Sequence, residues 1–244
     1  MNKENIRKKV WAELRKVAKP DSRFHWDFSK FIPDYEGSDR CAETVRNLDE
    51  YKKAKVLMIT PDNNLEKLRE YCILDGKVYI MPTYGIVRGF ILMRREFVPL
   101  GQEAFSATLD GADRFGKPIT LSAIKEMGKI DLMVTGASIV NVEGVRYGKG
   151  HGYFDIEWAM LREIKVVDEE TPIVAVTHDC QVTEEKFPVS PHDTIIDIIV
   201  TPTRVIRTTK KHRKPQGIIW DKLPTEMLSN IPPLQELREM RRRR

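Results

Sequence analysis

Between residues 55 and 208 the sequence alternates short apolar runs with amphipathic stretches of helical period, a pattern that few chain topologies accept. The runs KVLMIT (55–60), KVYIMP (77–82), TPIVAVTH (171–178) and TIIDIIVTPTRVIRT (194–208, interrupted at Pro202) are rich in Val and Ile. They are too short for buried helices and too continuously apolar for strands with one wet face, so they read as buried strands. RGFILM (88–93) reads as a further strand, and IDLMVTGASIV (130–140) as one or two. CAETVRNLDEYKKA (41–54), NNLEKLREYCILDG (63–76), LSAIKEMG (121–128) and YFDIEWAMLREIKVV (153–167) carry helical spacing. At the start, residues 3–18 place Ile6, Val10, Trp11, Leu14 and Val17 on one helical face until KPDS stops them. Residues 19–40 read as an irregular, aromatic-rich crossing segment. The fold class expected is α/β, with a mostly parallel sheet covered by helices on both faces. Ligands of such sheets sit beyond the carboxyl ends of the strands.

One loop carries the chemistry. In GVRYGKGHGYFD (144–155), Gly144, Gly148, Gly150 and Gly152 stand among Arg146, Lys149 and His151, after a strand and before a helix. Backbone amides at a helix amino terminus can cradle phosphate, with the cations adding charge. The spacing is neither GxGxxG nor GxxxxGK[ST], and a tight strand-to-helix turn is the plainer alternative. Asp155 is a candidate magnesium ligand, or simply an acid in a first helical turn where the dipole favours it. Lys3 and Arg7, four apart on one helix, are placed to grip a second phosphate, or to form a solvated face. The pairs His178–Asp179 and His192–Asp193 loosely echo dimetal phosphohydrolases, but both lie at strand edges rather than on helices.

Composition limits the alternatives. The 244 residues, 41% hydrophobic and 32% charged, suit one compact domain with terminal additions. No apolar run approaches the ~20 residues that span a bilayer. The charged opening MNKENIRKKVW is unlike a signal peptide, so a cytoplasmic protein without membrane contact is expected. Cys41, Cys72 and Cys180 lack paired spacing, which points to free thiols. The net charge of +5 is local: RVIRTTKKHRK (204–214) and RRRR (241–244) hold an excess that leaves the rest mildly acidic. Those runs motivate an alternative function, RNA binding, although aromatic residues are not interleaved with them.

In order along the chain, these segments resemble the 5-formyltetrahydrofolate cyclo-ligase family, also called 5,10-methenyltetrahydrofolate synthetase. The family stretch G-x-R-L-G-R-G-G-G-Y-Y-D-R stands here as Gly144 through Ile156, and its amino-terminal K-x-x-x-R as Lys3 and Arg7. Gln181, Pro188, His192, Asp193, Asp197 and Thr201 match its downstream positions. GKGHGY, ETPIVAVTHDCQV, HDTIIDIIVTPTRVI and KPQGIIW are similar to a subgroup, the methenyltetrahydrofolate synthetase domain-containing proteins.

The resemblance, over most of residues 1–208, implies a three-layer αβα fold of the NagB/RpiA/CoA-transferase type; the division expected is this domain over residues 1–224 and a basic helical tail at 225–244. It also implies Mg-ATP and a reduced folate or related pterin as ligands, with ATP phosphorylating the N5-formyl oxygen before N10 closes the methenyl bridge. Carried over by position, Arg146, Lys149 and Tyr153 would be catalytic. Lys3, Arg7, Gly148, Gly150, His151, Gly152 and Asp193 would bind the nucleotide, and Asp155 the metal. Asp62 and Tyr153 would meet the pterin, Asp62 at roughly the place of a family glutamate. The chain departs from the family at Ile156, where an arginine is usual, at Phe154, which lacks a tyrosine hydroxyl, and at VTG (134–136), where a proline is common. A nucleotide sensor without chemistry is the remaining alternative on this fold.

Overall fold

The structure, a computed structural model, describes residues 3–209 and 211–243. Eleven strands form along the described chain: β1 (Val56–Ile59), β2 (Val78–Pro82), β3 (Phe90–Met93), β4 (Lys117–Ile119), β5 (Leu132–Gly136), β6 (Ile139–Asn141), β7 (Arg146–Tyr147), β8 (Ile173–Val176), β9 (Val182–Thr183), β10 (Ile198–Val200) and β11 (Val205–Arg207). Eight of them make one sheet in the order β11-β10-β8-β5-β1-β2-β3-β4. The five central strands are parallel, and β11, β3 and β4 close the edges antiparallel.

The apolar runs are continuous because both faces of these strands are covered. Leu57 and Ile59 point into one core with Val45, Leu68 and Cys72, whereas Met58 between them joins Trp158, Leu161 and Leu234 on the other side. Val134 and Met133 divide in the same way, as period-two side chains must. One helical layer therefore contains Ser38–Asn47 and Glu66–Leu74, and the other Tyr153–Glu163 and Pro232–Arg242. The expected α/β sheet with two covered faces is what forms.

Boundaries moved where backbone chemistry, rather than periodicity, decides. The helix expected over 41–54 is two helices, Ser38–Asn47 and Asp49–Lys53, because Leu48 is extended at φ −64°, ψ 145°. The stretch 130–140 splits between β5 of the large sheet and β6 of a small one. The first helix stops at Leu14, and the helix after the glycine loop stops at Glu163, just before Lys165 turns to φ 65°. Pro202 lies in the turn of the antiparallel β10–β11 hairpin. The glycine loop leaves β7, which pairs antiparallel with β6, while β9 flanks β6 in parallel.

The carboxyl-terminal helix Pro232–Arg242 packs rather than trails. Leu234 and Leu237 lie in the main core, and the Glu236 carboxylate accepts from Leu121 N (2.9 Å) and Ser122 N (2.9 Å), capping the helix Leu121–Met127. The basic run at 204–214 is largely consumed internally. Arg204 faces Asp179, Arg207 meets Glu50 and Lys211 meets Glu143, while Lys214, 4% exposed, bonds Asp197 at 2.7 Å. Lys210 and Arg244 lie outside the described residues. Cations already paired offer little to a phosphate backbone, so the RNA alternative gains no support here. Cys41, Cys72 and Cys180 are free, and burial pushes their thiols up to about 12, 12 and 11.

Candidate functional site

A cavity of about 290 Å³ opens beyond the carboxyl ends of β1, β2 and β5, walled by Thr60–Asp62, Thr83–Gly85 and Thr135 on the sheet side. Opposite stand the first helix and the glycine loop. Lys3, Arg7, Asp62, Arg146, Gly148, Lys149, Gly150, His151, Gly152, Tyr153, Asp155 and Asp193 all line it. The fold thus brings the residues assigned to catalysis, nucleotide, pterin and metal into one cavity, across nearly two hundred positions, whereas Gly144 and the pair His178–Asp179 lie outside it.

Each is held by identifiable contacts. Tyr147 on β7 donates its hydroxyl to Pro188 O (2.6 Å), and Lys3 Nζ sits 4.5 Å from the Tyr147 ring centre. Asp193 fixes Lys3 at 3.1 Å and accepts Ser190 N at 2.7 Å. Arg7 Nε donates to Gly148 O (2.7 Å), tying the first helix to the loop. Arg146 Nε donates to Gly136 O (2.8 Å), and its guanidinium lies 4.8 Å from the Phe154 ring centre. Lys149 Nζ sits 5.2 Å above the Tyr84 ring. His151 stacks on Tyr153, with Nε2 3.2 Å from Ser29 O. Gly152 precedes the helix Tyr153–Glu163 in the left-handed region at φ 71°, a turn that an L side chain resists.

Acids share the cavity with these cations. Asp62 Oδ2 accepts from the Thr60 hydroxyl (2.6 Å) and from Gly136 N (2.9 Å). Its loop is stapled by fully buried Arg69, which donates to Thr60 O (2.8 Å) and Asp62 O (3.0 Å). Asp155 Oδ1 accepts from Thr194 N (2.8 Å), and burial raises its carboxyl above the usual range. Burial also lowers the Lys149 ammonium, opposed by Asp62 and Glu157.

Glu157 was not anticipated. It lines the cavity at 3% exposure, and burial, reinforced by the Asp62 carboxylate, pushes it up to about 8. Its sequence signal was faint: an acid inside IEWAML, on a helix otherwise packed against the core. Tyr84, Arg69 and the three threonines gave no signal by type or spacing.

The sequence model of the 5-formyltetrahydrofolate cyclo-ligase family matches residues 1–202. The chain belongs to this family. It is similar to the human methenyltetrahydrofolate synthase domain-containing protein, 34% identical over 98% of this chain and 62% of that one. The Danio rerio protein of the same description is also 34% identical, with the same two shares of 98% and 62%. The chain therefore spans less than two thirds of the length of these curated relatives. The NMR structure of Aquifex aeolicus 5,10-methenyltetrahydrofolate synthetase aligns over 87% of this chain and 95% of that one, with a TM-score of 0.53 at 20% identity. That likeness shows a shared fold.

A cyclo-ligase needs a place for a triphosphate and its metal, and the residues fit both. A Cβ on Gly148 would come within 3.1 Å of Arg146 Nη2, so the absent side chain leaves that guanidinium at the loop's backbone. Asp155 has one oxygen engaged and turns Oδ2 toward Gly152. Among the described residues no three His, Cys, Asp or Glu gather as a metal cluster. A magnesium ion needs only one or two carboxylates when phosphates complete its shell.

Proposed function

We propose that this protein is an ATP- and magnesium-dependent cyclo-ligase that converts 5-formyltetrahydrofolate, or a related formylated pterin, to its 5,10-methenyl form. The observation that carries this reading is the convergence at Gly148. Arg7 bonds its carbonyl while Arg146 stands where its side chain would be, so two cations from distant elements meet one glycine loop. Lys3 and Lys149 complete a set of four cations around the cavity.

In this reading Lys3, Arg7, Gly150, His151 and Gly152 seat the phosphates, with Asp193 holding Lys3 in place. Asp155 would hold magnesium, which neutralises phosphate charge when bound. Arg146 and Lys149 stabilise charge that develops on the transferred group, the dominant contribution in phosphoryl transfer. A partly desolvated ammonium such as Lys149 acts there with little screening. Asp62 and Tyr153 orient the pterin beside the Tyr84 ring, which stacks on Phe24 at 5.3 Å. A second cavity of about 260 Å³, on the far side of Gly150 and Gly152, is lined by Ile156, Ala159, Ile218, Leu223 and Met227. Its apolar lining suits a nucleobase whose phosphates lie on the loop. Among the described residues no helix is long and apolar enough to cross a membrane, and the cytoplasm is the proposed location.

The test is direct. Protein mixed with ATP, magnesium and 5-formyltetrahydrofolate should generate the near-ultraviolet absorbance of the methenyl product together with ADP. Folded protein that yields neither product sinks the proposal.

A further inference from the structure

Glu157 is the acid of the cavity that the chemistry above leaves unused. It stands four residues after Tyr153 on the helix Tyr153–Glu163, so both side chains leave the same face and both line the cavity. The residue is buried, yet Oε2 has no hydrogen-bond partner. Native proteins rarely leave a buried carboxyl oxygen unpaired, and those left so call for an explanation.

The groups facing it do not satisfy it. Asp62 approaches from the segment after β1, Arg146 from β7, Lys149 from the glycine loop and Asp155 from its own helix. Arg146 is bonded to Gly136 O, and Lys149 lies over the Tyr84 ring. Asp62 differs instructively, because its Oδ2 already receives two donors from the protein itself. The missing donor for Glu157 therefore belongs to whatever fills the cavity.

We propose that Glu157 is a specificity-determining residue whose unpaired carboxyl oxygen accepts the ring N–H of a flat 2-amino-4-oxo heterocycle bound in the cavity. This rests on the pterin reading above and deepens it. The heterocycle's ring N–H donates to the unpaired oxygen. Asp62 and Glu157 then contact different polar atoms of one ligand, which separates such a heterocycle from apolar rings of equal size.

Binding of pterin and of 3-methylpterin, in which a methyl replaces the ring N–H hydrogen, tests the assignment on the full chain. Wild-type protein should prefer pterin at least tenfold. In Glu157→Met that preference should collapse to within twofold, with MgATP affinity within twofold of wild type. Glu157→Gln, whose amide oxygen keeps the acceptor for the ring N–H, should retain the preference. A Glu157→Met protein that still prefers pterin tenfold overturns the inference. If that variant does not fold, a Glu157→Gln protein that binds both ligands equally overturns it as well. Wild-type protein that binds no pterin removes this inference and the substrate reading together. Wild-type turnover of 5-formyltetrahydrofolate with unaltered pterin preference in the variants removes this inference alone.

Discussion

At the scale of single residues, burial decides which acids and bases of the cavity hold protons, and that has a measurable sign. Glu157 has an ordinary value of 4.5 in the unfolded chain and is pushed up to about 8 in the fold. Between those values the folded state holds a proton that the unfolded state releases. Stability from this group is therefore highest below pH 4.5, falls through the window, and is lost above about pH 8. Glu157→Gln cannot titrate, so its stability relative to wild type should rise by a few kcal/mol between pH 5 and pH 9, read from urea melts. Parallel melts across that range would show that no such proton is held. Lys149 makes the complementary case in catalysis: Lys149→Met removes the half-buried cation beside Asp62 and Glu157 and should lower kcat about 100-fold in the turnover assay. Lys149, Arg146 and Asp155 were legible in the sequence because clustered glycines single out their neighbours. Glu157 was not, because one acid in a helix looks solvated until the sheet it packs against is known.

At the scale of elements, the cavity depends on a small hairpin more than on the large sheet. The β6–β7 pair carries the glycine loop, and it is pinned by the close approach of Gly144 to the chain before β10. A Cβ there would lie 2.3 Å from Ile196 O, on a backbone at φ 87°. Gly144→Ala should therefore cost about 2–4 kcal/mol in thermal or urea unfolding, since backbone on either side must move. A variant that melts with wild type would mean the hairpin is not anchored there. The large sheet was readable because continuous apolar runs need two covered faces, and Met58 between Leu57 and Ile59 shows both in use. Strand direction was not readable: nothing in RGFILM distinguishes an antiparallel β3, and KPI at 117–119 is too short and polar to stand out as the β4 edge. Nor did periodicity reveal that Leu48 is extended between two helices.

At the scale of the whole molecule, the segment beyond the family match is part of the same body. The match ends at residue 202, yet Leu234 and Leu237 fill the core that also holds Trp158, and Lys214 is buried against Asp197 beside β10. Ile218, Leu223 and Met227 wall the second cavity. Charge balance follows the same logic in the run at 204–214, where Arg204, Arg207, Lys211 and Lys214 are paired with acids of the body. Ending the chain after Asn230 exposes the surface under two leucines, each contributing about 1.5–3 kcal/mol. It also leaves the Leu121 and Ser122 amides without Glu236, a cap contributing about 1 kcal/mol. The sum is of order 5 kcal/mol, which for a domain of this size lowers Tm by roughly 10–20 °C. Glu236→Ala alone should lower Tm by only about 2–4 °C. Arg241→Ala, whose partner Glu163 lies at 3.7 Å on the surface, should scarcely change it. Calorimetry on the three proteins separates the contributions, and a truncated chain that melts with wild type would make the helix an appendage. In the turnover assay at a temperature where the truncated chain stays folded, KM for ATP should rise while KM for 5-formyltetrahydrofolate holds, because the loss reaches the apolar cavity behind the loop before it reaches Asp62 and Tyr153.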